Sequence, residues 1–363
     1  MSVDTANAFS ATYEEAREKF RAAAKDSLAG LESVSNPNRA PDGGDLTTDI
    51  AWIGAKDAPK VLVMLSATHG AEGFCGSGAQ VDWLRRGEWS TMPSDTAVLL
   101  IHAINPYGFA WLRRVTEENI DLNRNWIDFN SPLPVNAAYD ALSASIVPQD
   151  WSAETQAACR NVLLNYAREH GFSALQQAVS GGQYAHSDGV FYGGIAPSWS
   201  RQTQTSIFES YLRTAQRVAI VDYHTGLGPQ GYGERILSAR MGMEEYGRAE
   251  AWYGGAITSP ADGTSTSAET SGDGLLAAPA ILHHAQVTGI ALEYGTIPTN
   301  AVMDALRADA WLHSHGDPLS DDAVPIKAAL RAAFYPDTDV WKGMVAGQSL
   351  LAVRQAIAGL QRA

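Results

Sequence analysis

The chain has 363 residues, 45% of them apolar, enough to bury the core of one large α/β domain or of two ordinary ones. Its 40 acidic against 26 basic residues give a formal charge of −14, which repels nucleic-acid phosphates and anionic lipid, so neither nucleic acid nor a membrane is an expected partner. No apolar run approaches the ~18 residues of a membrane span. The polar, amphipathic start MSVDTANAFSATYEEAREKF lacks a basic leader and an apolar signal core, and Cys75 and Cys159 are too few for a disulfide framework, so a reducing, cytoplasmic setting is expected.

Residues 9–30 carry apolar side chains at helical spacing (Phe9, Tyr13, Ala16, Phe20, Ala24, Leu28), and the polar segment SNPNRAPDGGD at 35–45 breaks that pattern. The expectation is a leading helix and linker over 1–45, packed on a catalytic unit over 46–363. Val61–Leu65 reads as a strand running into SATHGAEG, followed by a helix containing Val81, Trp83 and Leu84. Val98–Ile104 is a second strand, closed by INPYG, and RRVTEENIDLNRNW beyond it holds more polar groups than a core needs. Helical spacing returns at about 136–177 and 203–216, on either side of the Gly-rich SGGQYAHSDGVFYGGIAP. Val218–Tyr223 is a short strand ending at His224, and Gly289–Leu292 another ending at Glu293. Between them, 226–280 is rich in Gly, Ser, Thr and Ala and reads as loops that shape or cover a site, with some helix near 243–253. Strands alternating with helices predict a single α/β domain with a mostly parallel or mixed central sheet and helices on both faces. Ligands of such sheets bind at the carboxyl ends of strands.

The chemistry-bearing residues fall at those ends. His69 and Glu72 in THGAEG are three apart, a spacing at which a tight turn sets an imidazole and a carboxylate on one ion, with Gly70 and Gly73 permitting the turn. His224 in VDYHTG supplies a third ligand from a separate strand. Two histidines and a carboxylate suit one zinc ion (Zn2+) and leave a position open for water, although manganese or iron also accept this donor set. Glu293 in ALEYGT emerges directly from an apolar strand, and a carboxylate so placed can take a proton from that water and pass it to a leaving nitrogen. An isolated HxxE serves equally as a polar strand end and a helix cap, and an isolated Glu293 as a salt bridge; the combination points to a zinc hydrolase.

In NIDLNRN, Arg124 offers a planar fork matched to a carboxylate and Asn123 an added donor, while Asp121 is suited to hold the second nitrogen of a ligand imidazole. Arg113 and Arg114 each offer a positive group for a developing oxyanion.

THGAE, NPYGFAWLRR…NIDLNRNW, DYHTG and LEYG, in this order, resemble the zinc carboxypeptidase superfamily, which includes carboxypeptidase A-like enzymes and the aspartoacylase and succinylglutamate desuccinylase branch. The resemblance covers about residues 60 to 297. It implies zinc ligands at His69, Glu72 and His224, a general base at Glu293, a substrate clamp at Asn123 and Arg124, Asp121 steadying the first histidine, and Arg114 as the oxyanion arginine with Arg113 the competing register. The short interval between the arginine and DLNRN looks more like bacterial members and desuccinylases than digestive carboxypeptidases. Those carboxypeptidases carry a tyrosine on a loop shortly before the base; here no tyrosine occurs in SGDGLLAAPAILHHAQVTGIAL, and Tyr253 is the nearest upstream, with Tyr232 and Tyr246 further back.

The expected activity is hydrolysis of an amide bond next to a free carboxylate, on a peptide (carboxypeptidase) or an N-acyl amino acid (deacylase). Rival readings are an esterase using the same groups and a metal-retaining binding protein without catalysis, which has no evident use for Glu293. His283, His284, His313 and His315 read as surface histidines, His186 as a residue at the mouth of a pocket, and Cys75 as packing. Ser77 is not framed as a nucleophile elbow.

Overall fold

A computed structural model describes residues 4–362; the outermost residues 1–3 and 363 of the expected N-terminal and catalytic units lie outside the described residues. In chain order the elements are α1 (Tyr13–Asp26), β1 (Gly30–Arg39), β2 (Asp45–Ile53), β3 (Lys60–Leu65), α2 (Gly73–Arg85), β4 (Thr96–His102) and α3 (Pro106–Ala110). They continue with α4 (Ala137–Ile146), α5 (Ala153–His170), α6 (Phe172–Ser180), α7 (Trp199–Tyr211), β5 (Arg217–Gln230), β6 (Gly233–Ile236), α8 (Glu244–Tyr253) and β7 (Ile257–Thr258). The last are α9 (Gly274–Ile281), β8 (Gln286–Gly295), α10 (Thr299–His315), α11 (Ala323–Phe334) and α12 (Asp339–Leu360).

The strands form one mixed sheet in the order β1-β2-β4-β3-β5-β8-β6-β7. Its centre, β4-β3-β5-β8, is parallel, and antiparallel pairings of β2 with β4 and β6 with β8 extend it on both sides. Central strands such as KVLVML are apolar at nearly every position because both faces are covered. Leu62, Met64, Val98 and Val221 face a core shared with α1, α2, α8 and α12, whereas Val61, Val63, Leu99 and Ile220 face α7 and α9. A third cluster, from α4, α6, α10 and α11, includes Phe191, Val302 and Phe334.

The segment 35–45, expected as a linker, is the end of β1 and the turn into β2. β1 is an edge strand with mostly solvated side chains, so its polar sequence lacks the apolar alternation of a half-buried strand. The sheet continues from β1 through β2 to β4 with no break near residue 45. The strands expected to stop at His224 and Glu293 run on to Gln230 and Gly295.

Candidate metal centre and its cavity

Parallel β3, β5 and β8 point their carboxyl ends the same way. Ala67, in the left-handed region at φ 59°, turns the chain out of β3 so that His69 leads into the tight turn Gly70–Glu72. The glycines of this turn are required by proximity rather than by dihedral freedom. A Cβ on Gly70 would lie 2.0 Å from the Gly108 carbonyl carbon, and one on Gly73 would lie 2.6 Å from the Phe109 ring. The amides of Gly70 and Ala71 donate to the carbonyls of Arg114 (3.1 Å) and Arg113 (2.7 Å), clasping the turn to the arginine segment. His224 and Glu293 are register partners on β5 and β8.

Three donor groups meet there, all buried. His69 Nδ1 lies 3.0 Å from Glu72 Oε1, His224 Nδ1 lies 3.1 Å from Glu72 Oε2, and the two Nδ1 atoms are 3.1 Å apart. Lone pairs so crowded call for a positive charge between them, and the set fits zinc's preference for imidazole and carboxylate. Behind His69, Asp121 Oδ1 is 3.1 Å from Nε2. Behind His224, Asp222 Oδ2 is 2.9 Å from Nε2, at an angle too poor for a hydrogen bond, and Asp222 also accepts from Thr68 Oγ1 at 2.8 Å.

Arg114 ties the cluster together. Its Nη1 donates to Glu72 Oε1 (2.8 Å), its Nε to Asp121 Oδ2 (2.9 Å), and its Nη2 lies 2.9 Å from His69 Nε2, a nitrogen thus shared with Asp121. Arg113 points elsewhere: its Nε donates to Asp309 on α10 at 3.0 Å and its Nη2 to Asn119. Of the two registers, only Arg114 lines the cavity that holds His69, His224 and Glu293. Phe191 lies 5.3 Å from the guanidinium of both Arg114 and Arg124.

The cavity, of about 320 Å³, also exposes Asn123 and Arg124. Arg124 Nε and Nη2 donate to the Ser180 carbonyl and Nη1 to that of Asn123, leaving one N–H on each terminal nitrogen. Asn123 Oδ1 accepts from the Gly274 amide at 3.2 Å. Tyr253 is not in the cavity. It is 4% exposed in the core on the inner face of α8, and its hydroxyl has no partner among the described residues. Tyr246 packs beside the same core, and Tyr232 is exposed beyond β5. His186 pairs with Asp140 at 2.9 Å away from the cavity, whereas Phe191 of the same Gly-rich segment forms part of its wall. His313, expected at the surface, is packed against Lys327.

Charge is polarised across the site. Burial alone would raise the Glu72 pKa, but His69, His224 and Arg114 hold it below the ordinary carboxylate range. Burial would likewise raise Asp121, yet Arg114, Arg124 and His69 keep it well below. His224 is pushed well above the imidazole range despite burial, by Asp222 and Glu72. Glu293, which accepts from the Leu227 amide at 3.0 Å, is raised to about 8 by burial and by the charge of Glu72.

Asp222, Thr225, whose amide donates to Glu72 Oε2 at 3.0 Å, and Phe191 were not picked out from the sequence. For Asp222 a signal exists: it stands two residues before His224 on a strand, hence on the same face.

No curated protein matches this sequence. Among solved structures, bovine thrombin-activatable fibrinolysis inhibitor, crystallised with tick carboxypeptidase inhibitor, superposes over 96% of this chain and 97% of its own at 8% identity and a TM-score of 0.50. Carboxypeptidase A from Helicoverpa armigera is 12% identical over 90% and 74% of the two chains (TM-score 0.46). Murein-tripeptide amidase from Escherichia coli O157 is 15% identical over 80% and 91% (TM-score 0.35). Coverage of both chains by the first shows a shared, carboxypeptidase-like fold. On that fold, with a family model matching residues 9–348, the chain belongs to the family described as protein of unknown function (DUF2817).

Proposed function

We propose that the chain is a zinc-dependent hydrolase that cleaves an amide bond next to a free carboxylate, either as a carboxypeptidase or as an N-acyl amino acid deacylase. The observation that carries this reading is the convergence of His69, Glu72 and His224 in the same cavity as Arg114, Glu293 and Arg124. His69, Glu72 and His224 would hold the ion, which when bound supplies Lewis acidity to a carbonyl and to water.

The remaining work falls to side chains of the chain itself. The free N–H edge of Arg124, with Asn123 beside it, binds the substrate carboxylate and fixes the amide in the cavity. Arg114, partly neutralised by Glu72 and Asp121, donates to the carbonyl oxygen as it becomes an oxyanion. Glu293 accepts the proton of the attacking water and delivers it to the nitrogen as the C–N bond breaks, so that amide and water give a carboxylic acid and an amine. Its raised pKa reflects burial and the nearby charge of Glu72, and a bound cation would offset the latter.

The test is a panel of C-terminally free dipeptides and N-acyl amino acids assayed with and without chelator. Turnover of either class, lost on chelation and restored by zinc, is expected. Glu293→Gln should retain stoichiometric zinc while kcat falls by roughly 10²–10⁴-fold; wild-type kcat in that variant defeats the assignment of the base. Arg124→Met should raise KM for carboxylate-bearing substrates, and an equal effect on esters without a carboxylate removes the clamp.

A further inference from the structure

The cavity is divided by chemistry. Its charged side chains, Arg114, Arg124, Arg240, Glu269, Asp273 and Glu293, all come from elements outside the C-terminal helices. The wall built by α10 and α11 carries no charge. It presents Thr299, Val302, Met303 and Leu306, at i, i+3, i+4 and i+7 along one stripe of α10, joined by Phe334 at the end of α11. The charged residues of α10 are occupied elsewhere: Arg307 Nε donates to the Ile146 carbonyl at 2.7 Å and its Nη1 to Asp304 at 3.0 Å, while Asp309 holds Arg113 and Lys327.

This apolar wall begins beside the metal ligands. Thr225, next to His224, donates its hydroxyl to the Phe334 carbonyl at 2.8 Å, and a Cβ on Gly226 would lie 2.9 Å from the Phe334 ring and 3.7 Å from Val302. Leu227, whose amide holds Glu293, lines the cavity there as well. An amide has two halves, and in the hydrolase reading above, on which this inference rests, the amine half lies with its carboxylate on Asn123 and Arg124. The acyl half then meets the surface that Asn123 and Arg124 do not occupy. We infer that the wall formed by Leu227, Val302, Met303, Leu306 and Phe334 selects substrates whose acyl group is apolar and uncharged, so that the substrate class is an N-acyl amino acid or peptide with an aliphatic or aromatic acyl side. A dicarboxylic acyl group would bring a carboxylate to a wall with no cationic side chain to receive it.

The experiment measures binding apart from turnover. Calorimetric affinities of zinc-loaded Glu293→Gln protein are determined for N-acetyl-, N-butanoyl-, N-hexanoyl- and N-succinyl-alanine, which share one amine half. Affinity should rise roughly threefold per methylene, reaching roughly 100-fold from acetyl to hexanoyl, with the succinyl compound weakest. Met303→Asp, at a half-buried wall position, should flatten the series while Met303→Leu preserves it, with thermal melting confirming that each variant is folded. Equal affinities across the wild-type-wall series, absence of binding by all four compounds, or preference for the succinyl compound each overturn the inference. Chain-length-dependent binding without cleavage of any of these amides by the wild-type enzyme would instead retain the wall and remove the hydrolase reading.

Discussion

Replacing Asp222 by asparagine leaves the shape beside His224 unchanged but removes the negative charge 2.9 Å from its Nε2. In the proposed zinc site, a carboxylate behind an imidazole raises its basicity and fixes the ring, so Asp222→Asn should weaken zinc binding roughly 10–100-fold, as should Asp121→Asn behind His69. Competition with a chromophoric chelator measures this directly, and unchanged affinity in both variants would mean that the two aspartates serve packing alone. Neighbours in sequence need not share a role: Arg113 and Arg114 leave the backbone in different directions, one to Asp309 and the other to Glu72 and Asp121. Sequence order could not separate them, because the distinction comes from α10, nearly two hundred residues downstream. Tyr253 illustrates the converse, since proximity along the chain to Glu293 made it eligible while the inward face of α8 carries it into the core.

The turn Gly70–Glu72 is a small element on which the whole cluster depends. Gly70→Ala would set a methyl group 2.0 and 2.2 Å from backbone atoms of Gly108 and Phe109, so either α3 or the turn between His69 and Glu72 must shift. The expected cost is about 3 kcal/mol or more of stability together with loss of zinc stoichiometry. Gly347→Ala, in the middle of α12 where, among the described residues, no atom beyond its own helix backbone and chain neighbours lies within 4 Å of the added Cβ, should instead stabilise the protein by roughly 0.5–1 kcal/mol. Urea midpoints of both variants give the comparison, and a stable, zinc-replete Gly70→Ala protein would show that the turn tolerates displacement. At this scale the sequence was readable where an element announces itself by its own chemistry. β3, β4, β5 and β8 are apolar runs because two helical layers cover them, and the motif residues follow those runs, His69 just beyond β3 and His224 and Glu293 paired in register within β5 and β8. β1 was illegible because a solvated edge strand has no apolar alternation to display, and short β6 and β7 are hidden in a Gly- and Ser-rich segment. The cavity wall of α10 and α11 was also hidden, since which stripe of a helix meets a cavity depends on tertiary packing.

Across the whole molecule, histidines buried without charge set how folding responds to acid. His102, on β4, is fully buried with its ring stacked on Phe20 at 4.6 Å and its Nε2 2.9 Å from Ser77 Oγ, while Nδ1 has no partner among the described residues. Burial lowers its pKa to about 4, Asp49 on the neighbouring β2 opposing and Arg17 on α1 reinforcing the shift. His313, packed against Lys327 and near Arg113 and Asp309, is lowered to about 3, chiefly by burial. Between these values and the unfolded value of about 6.5, the unfolded chain binds protons that the native protein refuses, so stability increases with pH across this interval and is lost as pH falls through it. For His102 the span from about 6.5 down to about 4 corresponds to roughly 3 kcal/mol. The buried carboxylates Glu72 and Asp121, held below the ordinary range, also cost stability on acidification, so the contribution is isolated by difference. His102→Gln, which keeps a hydrogen-bonding group without a titrating ring, should lower stability at pH 7 yet lose less of it on acidification. Urea unfolding of chelator-treated wild type and variant at pH 7 and pH 4.5 should therefore converge by about 2–3 kcal/mol. Parallel stability curves for the two proteins would mean that His102 accepts its proton within the fold, and that the acid response belongs to the carboxylate pairs such as Asp49 with Arg17 and Asp309 with Arg113.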